Sequence, residues 1–215
     1  MKIVINSHIK SNIALQHLLE SLKENENDIK IIVVIGGYYN LNNYEIIENK
    51  NITYIHANHN SIDFTGLITL MELYSDVNEY YVYLHDTCNI GKKFYEKIKL
   101  IDLTNVSSIK INKKFSMNIG IYSQNIINNF KDFLLSKKNT DENKCMEFKS
   151  INICEDYIFN NDTNNKLLNN YDGWIYTGPT DYYNTGTMRI VEYYPNLDLY
   201  KIKANWGQGT WTLNT

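Results

Sequence analysis

Arginine is all but missing from this 215-residue chain, where Arg189 stands alone. Bidentate guanidinium clamps on phosphates or base edges are therefore scarce. Charge of one sign is not in excess either: 21 Lys and Arg face 24 Asp and Glu, for a net charge of -3. That balance excludes a nucleic-acid binder working through bulk charge. The three cysteines, Cys88, Cys145 and Cys154, show no CxxC spacing, and an odd count points to free thiols in a reducing compartment. No apolar run approaches the roughly 18 residues that would span a bilayer. The first ten residues, MKIVINSHIK, lack the apolar core of a secretory signal. These absences predict a soluble protein of the cytoplasm, without a membrane span and without a nucleic-acid partner. Signature loops are missing too. There is no GxxxxGK(S/T), IGGYYN lacks GxGxxG spacing, and GxSxG and HExxH do not occur. A P-loop, a dinucleotide fingerprint and the commonest hydrolase and zincin motifs are thereby removed.

What is abundant is Asn, about one residue in seven, with Ile, Lys and Tyr. The bias reads as an AT-rich coding preference, since apolar periodic segments run throughout. KIVIN (2–6) reads as a buried strand. Ile13, Leu15, Leu18, Leu19 and Leu22 recur at helical steps. IKIIVVIGG (29–37) is a continuous apolar run stopped by glycines, as in a central strand covered on both faces. ITYIHA (52–57) is a third strand. A helix over 64–77 follows, with Ser61 or Asp63 placed to cap it. YYVYLHD (80–86) is a fourth strand, and a short helix over 91–100 comes next. Strands near 106–110 and 117–122 precede helices over 124–137 and 145–160, and TMRIVEYY and LDLYKIKA suit two strands or a strand–helix pair near the end. The alternation predicts one layered α/β domain with a mixed, mostly parallel sheet flanked by helices.

Four stretches carry chemistry. YYVYLHDTCN ends an apolar strand in His85 and Asp86, and ligands of open α/β sheets bind beyond such strand ends. A carboxylate there can hold a divalent cation that screens a diphosphate; Asp86 or Asn89 equally suits a helix cap. SINICEDYIF embeds Glu155 and Asp156 among apolar residues on an expected helix. Partial desolvation there would favour a general base, and a solvated helix face is the plainer reading. HANHNSIDFTG places Asp63 where it could bond a ribose or cap a helix, with His56 and His59 as a weak metal pair. In the tail, Lys201 and Lys203 could approach phosphates and Trp206 and Trp211 could stack on rings, or the segment could simply pack.

Taken in order, these segments resemble GT-A glycosyltransferases: KIVIN, the strand ending at Gly36–Gly37, the His85-Asp86-Thr87-Cys88 strand end, MNIGIYS (117–123) and CEDYIF. The RIVEYYPNLDLYKIKANWG tail and Asn-rich composition resemble the small members of large DNA viruses, of the chlorella-virus and mimivirus-like kind, which would place the protein in host cytoplasm. The resemblance implies transfer of a hexose or deoxyhexose from a nucleotide-sugar, a UDP-sugar, to a glycan or glycoprotein acceptor. It implies a nucleotide-binding half over about 1–110 and an acceptor-side half and tail over about 111–215, with Ser7, Gly36, Gly37, Asp63, His85, Asp86 and Lys201 at the nucleotide-sugar. Mn²⁺ or Mg²⁺ would sit at Asp86 in a DxD-like segment, and Asp156 and Glu155 would serve catalysis, with Asp156 as base if the reaction inverts. Two departures stand out: the second acid of DxD is replaced by Cys88, and Gly36-Gly37-Tyr38 stands where an acid often follows the second strand. A catalytically silent module of the same fold, binding carbohydrate or protein, is the alternative that the first departure favours. A nucleotidyltransferase is a third reading, without the Gly-rich phosphate loop it would usually show.

Overall fold

The computed structural model describes residues 1–23, 29–113, 116–144, 155–168, 174–176 and 188–204. They divide into two compact units. The first comprises Met1–Ile9, Asp28–His85 and Leu103–Asn170; the second comprises Lys10–Asn27, Asp86–Asp102 and Tyr171–Thr215.

The apolar runs of the first unit form its sheet. β1 (Lys2–His8), β2 (Ile31–Gly36), β4 (Ile52–His56) and β5 (Tyr80–His85) make a parallel centre in the order β4-β2-β1-β5. Around it, β3 (Glu45–Asn49) runs antiparallel to β4 at one edge. At the other side lie β8 (Gly120–Ser123), antiparallel to β5, then β7 (Ser108–Lys110) and β9 (Asn165–Leu167). The eight strands thus run β3-β4-β2-β1-β5-β8-β7-β9. β1 and β2 are buried on both faces, which is why neither shows the polar alternation of a half-exposed strand. By contrast β3 is exposed along its whole length, Ile46 and Ile47 included.

α2 (Thr65–Leu73) packs on β1 and β2 and α4 (Gln124–Asn129) on β8, while α5 (Lys131–Ser136) packs on α2. Val4, Val34, Phe64, Leu67, Ile68, Met71, Tyr83, Tyr122, Ile127 and Leu134 share one buried cluster with Phe159. The expected helix over 124–137 is broken at Phe130, whose φ of -99° and ψ of 22° leave the helical region. Ser123 caps the first piece by accepting from Ile126 N at 3.2 Å. The expected cap by Ser61 or Asp63 is not made. The chain enters α2 through a 3₁₀ turn, Ile62–Phe64, and no side chain caps either helix start.

In the second unit, β10 (Trp174–Tyr176), β11 (Met188–Tyr194), β12 (Leu199–Ala204) and β6 (Cys88–Ile90) form an antiparallel sheet in that order. Of the two readings of the tail segments, two strands and a strand–helix pair, the first is the one observed. α1 (Asn12–Lys23) lays Ala14 and Ile13 on Val191, Ile202 and Tyr200. Ser21 Oγ accepts from Ile90 N, and Tyr95 Oη donates to Leu22 O. Tyr95 belongs to α3 (Phe94–Lys99), whose N-cap position is Lys93, so neither Asp86 nor Asn89 caps it. No described helix is long and apolar enough to cross a membrane.

One close approach inside the first unit tests the packing. A Cβ on Gly66 would lie 2.8 Å from the Tyr83 ring and its hydroxyl, and Tyr83 is fully buried with its Oη donating to Asp63 O at 2.8 Å. Gly66→Ala is expected to cost about 2 kcal/mol or more through overpacking. Urea unfolding that returns a wild-type midpoint would refute that packing.

Candidate functional site

The parallel strands β1, β2 and β5 end at one side of the first unit's sheet, β1 and β5 in His8 and His85 and β2 in Gly36. Asn6 is the pivot. Its Nδ2 donates to Ile62 O at 3.0 Å and its Oδ1 accepts from Gly66 N at 2.8 Å. Ile62 sits at φ 53°, a left-handed conformation that a β-branched residue adopts only under constraint. Asn60 Oδ1 accepts from Ile62 N at 3.1 Å, and Tyr83 grips the next carbonyl. The strained turn presents Asp63, whose Oδ1 lies 3.8 Å from His85 Nε2. Burial first, and then the Asp63 charge, push the Tyr83 phenol well above its usual range.

Gly36 and Gly37 serve the same edge by a different means. A Cβ on Gly36 would lie 2.9 Å from His59 O, and Gly37 N donates to that carbonyl at 3.0 Å. Gly37 has φ +101°, and a Cβ there would meet His8 Nε2 at 2.7 Å. Both glycines thus seat neighbouring chain segments of the strand-end loop. Ser7 is buried in β1 opposite Ile35.

The loop after β4 is fastened by a buried network. Ser61 Oγ accepts from Asn139 N and bonds His59 Nδ1, each at 3.1 Å. His59 Nε2 meets Tyr44 Oη at 3.2 Å, Tyr44 donates to Glu72, and Lys138 bonds both Glu72 oxygens at 2.8 Å. With the Tyr44 proton on Glu72, the consistent tautomer is Nε2–H donating to Tyr44, with Nδ1 accepting from Ser61. Burial, then the Lys138 ammonium, push His59 down to about 4, against a smaller upward pull from Glu72. For Glu72 burial pushes upward, but the Lys138 and Tyr44 hydrogen bonds outweigh it and hold the carboxyl low. His56 belongs elsewhere: it bonds Glu45 at 2.7 Å and stacks on Tyr38 at 4.2 Å between centroids. The suggested His56–His59 metal pair is therefore not formed, because the two rings serve separate networks.

A second polar knot in the first unit holds Asp156. The carboxylate is 1% exposed. It accepts from Ser116 N at 2.8 Å and Asn118 N at 2.9 Å, and lies 3.1 Å from Lys110 Nζ. Asp156 N donates back to Asn118 Oδ1 at 3.0 Å. Met117, Asn118 and Asp156 all have left-handed φ, at 52°, 60° and 60°. So Asp156 is not on the expected helix face. It precedes the short helix α6 (Tyr157–Asn161) and locks a strained turn, while Glu155 beside it is exposed. The rest of the segment expected as helix, 145–154, lies outside the described residues.

In the second unit, Asp86 is 8% exposed and begins the segment Asp86-Thr87-Cys88. Lys201 donates to Thr87 Oγ1, and Ile202 N bonds Thr87 O at 2.9 Å. Lys201 stands opposite Cys88 on one side and Glu192 on the other. Mn²⁺ or Mg²⁺ at Asp86 would call for further hard oxygen ligands. Thr87's hydroxyl is engaged by an ammonium, and Cys88 is a buried thiol. That donor set does not fit the ion. Among the described residues, no three His, Cys, Asp or Glu side chains group as a metal site. Trp206, Trp211 and the Lys203 side chain lie outside the described residues.

No family model matches the chain, and no curated protein sequence does. Among solved structures, an active-site mutant of LgtC, a GT-A glycosyltransferase, aligns with a TM-score of 0.50 at 13% identity, over 78% of this chain and 72% of that one. The chain has a GT-A fold. A second structure, the galactosyltransferase LgtC with donor and acceptor sugar analogs, aligns at 0.48 and 12% identity, over 78% and 73%. In this GT-A fold, sequence reasoning passed over Asn6 and Ile62, which shape the turn before α2, and Lys110, which pairs with Asp156. Asn6 had left one signal, a polar side chain inside the buried run KIVIN.

Two expectations follow. Unfolded His59 takes its proton near 6.5, folded His59 only near 4. The stabilisation is complete above pH 6.5 and is lost as pH falls toward 4, by on the order of 3 kcal/mol. Denaturant melts across that range should show the loss, and His59→Gln should flatten the curve between pH 6.5 and 5. Asp156→Asn leaves a buried ammonium poorly balanced and should destabilise the fold by about 3 kcal/mol; a wild-type melting temperature would refute the lock.

Proposed function

We propose that the protein is a nucleotide-sugar glycosyltransferase taking a UDP-sugar donor and a glycan or glycoprotein acceptor. The observation that carries this reading is the strained, prefastened Asp63–His85 pair where β1, β2 and β5 end, on a GT-A fold. Pre-set polar groups at the carboxyl ends of parallel strands are what a nucleotide site requires. Asp63 and Ser7 are assigned to the uridine, with Gly36 and Gly37 keeping the backbone close. His85 is assigned to the phosphate side.

Of the two acids in CEDYIF, the exposed Glu155 is assigned to take the acceptor proton. Asp156 already accepts two backbone N–H groups and pairs with an ammonium, so it is assigned to position the turn before α6. A carbohydrate- or protein-binding module without catalysis is the second reading. The same commitment of Asp156, together with the missing second acid at Cys88, favours it.

Thermal shift and sugar release across a panel of UDP- and GDP-sugars separate the two. A transferase gives nucleotide-dependent stabilisation and slow donor hydrolysis, and a silent module gives neither. Glu155→Gln should keep the UDP-induced shift while cutting transfer by a hundredfold or more. Undiminished transfer would remove Glu155 from catalysis.

A further inference from the structure

Among the described residues, β3 is the end strand of the eight-stranded sheet, with β4 as its neighbour. Every second residue of an end strand turns its N–H and C=O away from the sheet, a template for another strand. Its side chains are open as well: all five residues are exposed, Ile46 at 50% and Ile47 at 44%. Successive residues of a strand face opposite sides, so the two isoleucines offer one apolar contact on each face. Ile46 stands opposite Ile55, a fully buried member of the core that α2 shares, against which Tyr44 and Tyr74 pack. Ile47 stands opposite Tyr54. An apolar residue brought beside each isoleucine would continue a row that the sheet already contains.

β3 itself carries charge of one sign. Glu45 and Glu48 flank the isoleucines, and each is tied to its cross-strand neighbour on β4: Glu45 to His56 Nδ1 at 2.7 Å, Glu48 to Thr53 Oγ1 at 2.8 Å. No Lys or Arg stands between Lys30 and Lys50. Lys138, which lies over the Tyr44 ring, is held by both oxygens of Glu72. We propose that β3 is a docking edge for another protein, which adds to it, as a further strand, an extended segment reading Lys-apolar-apolar-Lys. The two lysines meet Glu45 and Glu48, the apolar pair meets Ile46 and Ile47, and the backbone takes up the outward groups of β3. The pattern reads the same from either end, so it fits parallel or antiparallel. Charge sets the selectivity: like charges opposite each other in a ladder destabilise it, so an acidic strand of the same apolar content is refused. The docking edge stands whether or not the protein transfers a sugar.

Fluorescence anisotropy of the full chain with a labelled peptide carrying Lys-Val-Val-Lys at its centre tests it. Saturable binding is expected, weaker at high salt, with slowed hydrogen exchange at the β3 amides. A peptide with Glu-Val-Val-Glu in the same place should bind about tenfold more weakly or worse. So should the lysine peptide N-methylated across its central residues, which keeps the charges and side chains but blocks backbone pairing. Glu45→Lys combined with Glu48→Lys should reverse the preference in favour of the glutamate peptide, a gain that a misfolded variant would not show. No saturable binding of the lysine peptide to wild type would overturn the proposal. An N-methylated peptide that binds as tightly as its parent would reduce the contact to bulk charge attraction and overturn it too. Bound peptide that leaves exchange at β3 unchanged would do the same. Sedimentation showing that the chain alone dimerises, with Ile46→Lys restoring the monomer, would assign the edge to a second copy and end the proposal.

Discussion

A single amide side chain holds the strand-end architecture together. Asn6 donates to one carbonyl and accepts from one amide of the turn that opens α2, contacts that span 56 and 60 residues of sequence. Each such bond to a buried partner contributes only about 1 kcal/mol net. Leaving either backbone group unpaired would cost more, and Ile62 would have no reason to keep its unfavourable φ. From that bridge follow the place of Asp63, the grip of Tyr83 on its carbonyl and the distance to His85. Gly66 is part of the same device, since its missing side chain lets the Tyr83 ring lie against the turn.

The central strands were legible because they are continuous apolar runs, and a two-sided burial leaves little else that such a run can be. The edges were not. β3 is exposed on both faces, so EIIEN carries no periodic signal of a core, and only its pairing with β4 makes it a strand. β6 has three residues, too few for a pattern, and exists because β12 arrives beside it from over a hundred positions away. The break between α4 and α5 falls at an ordinary phenylalanine that sequence periodicity passes straight through.

At the candidate site, residue types were legible and roles were not. An acid among apolar neighbours announces burial, and Asp156 is buried. Whether it serves chemistry or architecture depends on which donors reach it, and Ser116, Asn118 and Lys110 come from 38 to 46 positions earlier in the chain. The glycines at 36 and 37 likewise read as a ligand-facing turn, yet the space they leave is taken by His59 and His8 of the protein itself. Lys201 was visible as a cation in the tail; its partner Thr87 became visible only through the β12–β6 pairing.

The open rim of β3 has a consequence for how copies of this chain meet. Two bare isoleucines on an edge strand invite another strand to add on. Glu45 and Glu48 bracket them, however. In a parallel in-register pairing of two such rims each glutamate meets its own counterpart, and in the antiparallel one that sets Ile46 against Ile47 the two glutamates meet each other. Carboxylates facing across a ladder repel, so the rim discourages fibril-like stacking of identical molecules while leaving its apolar pair in water.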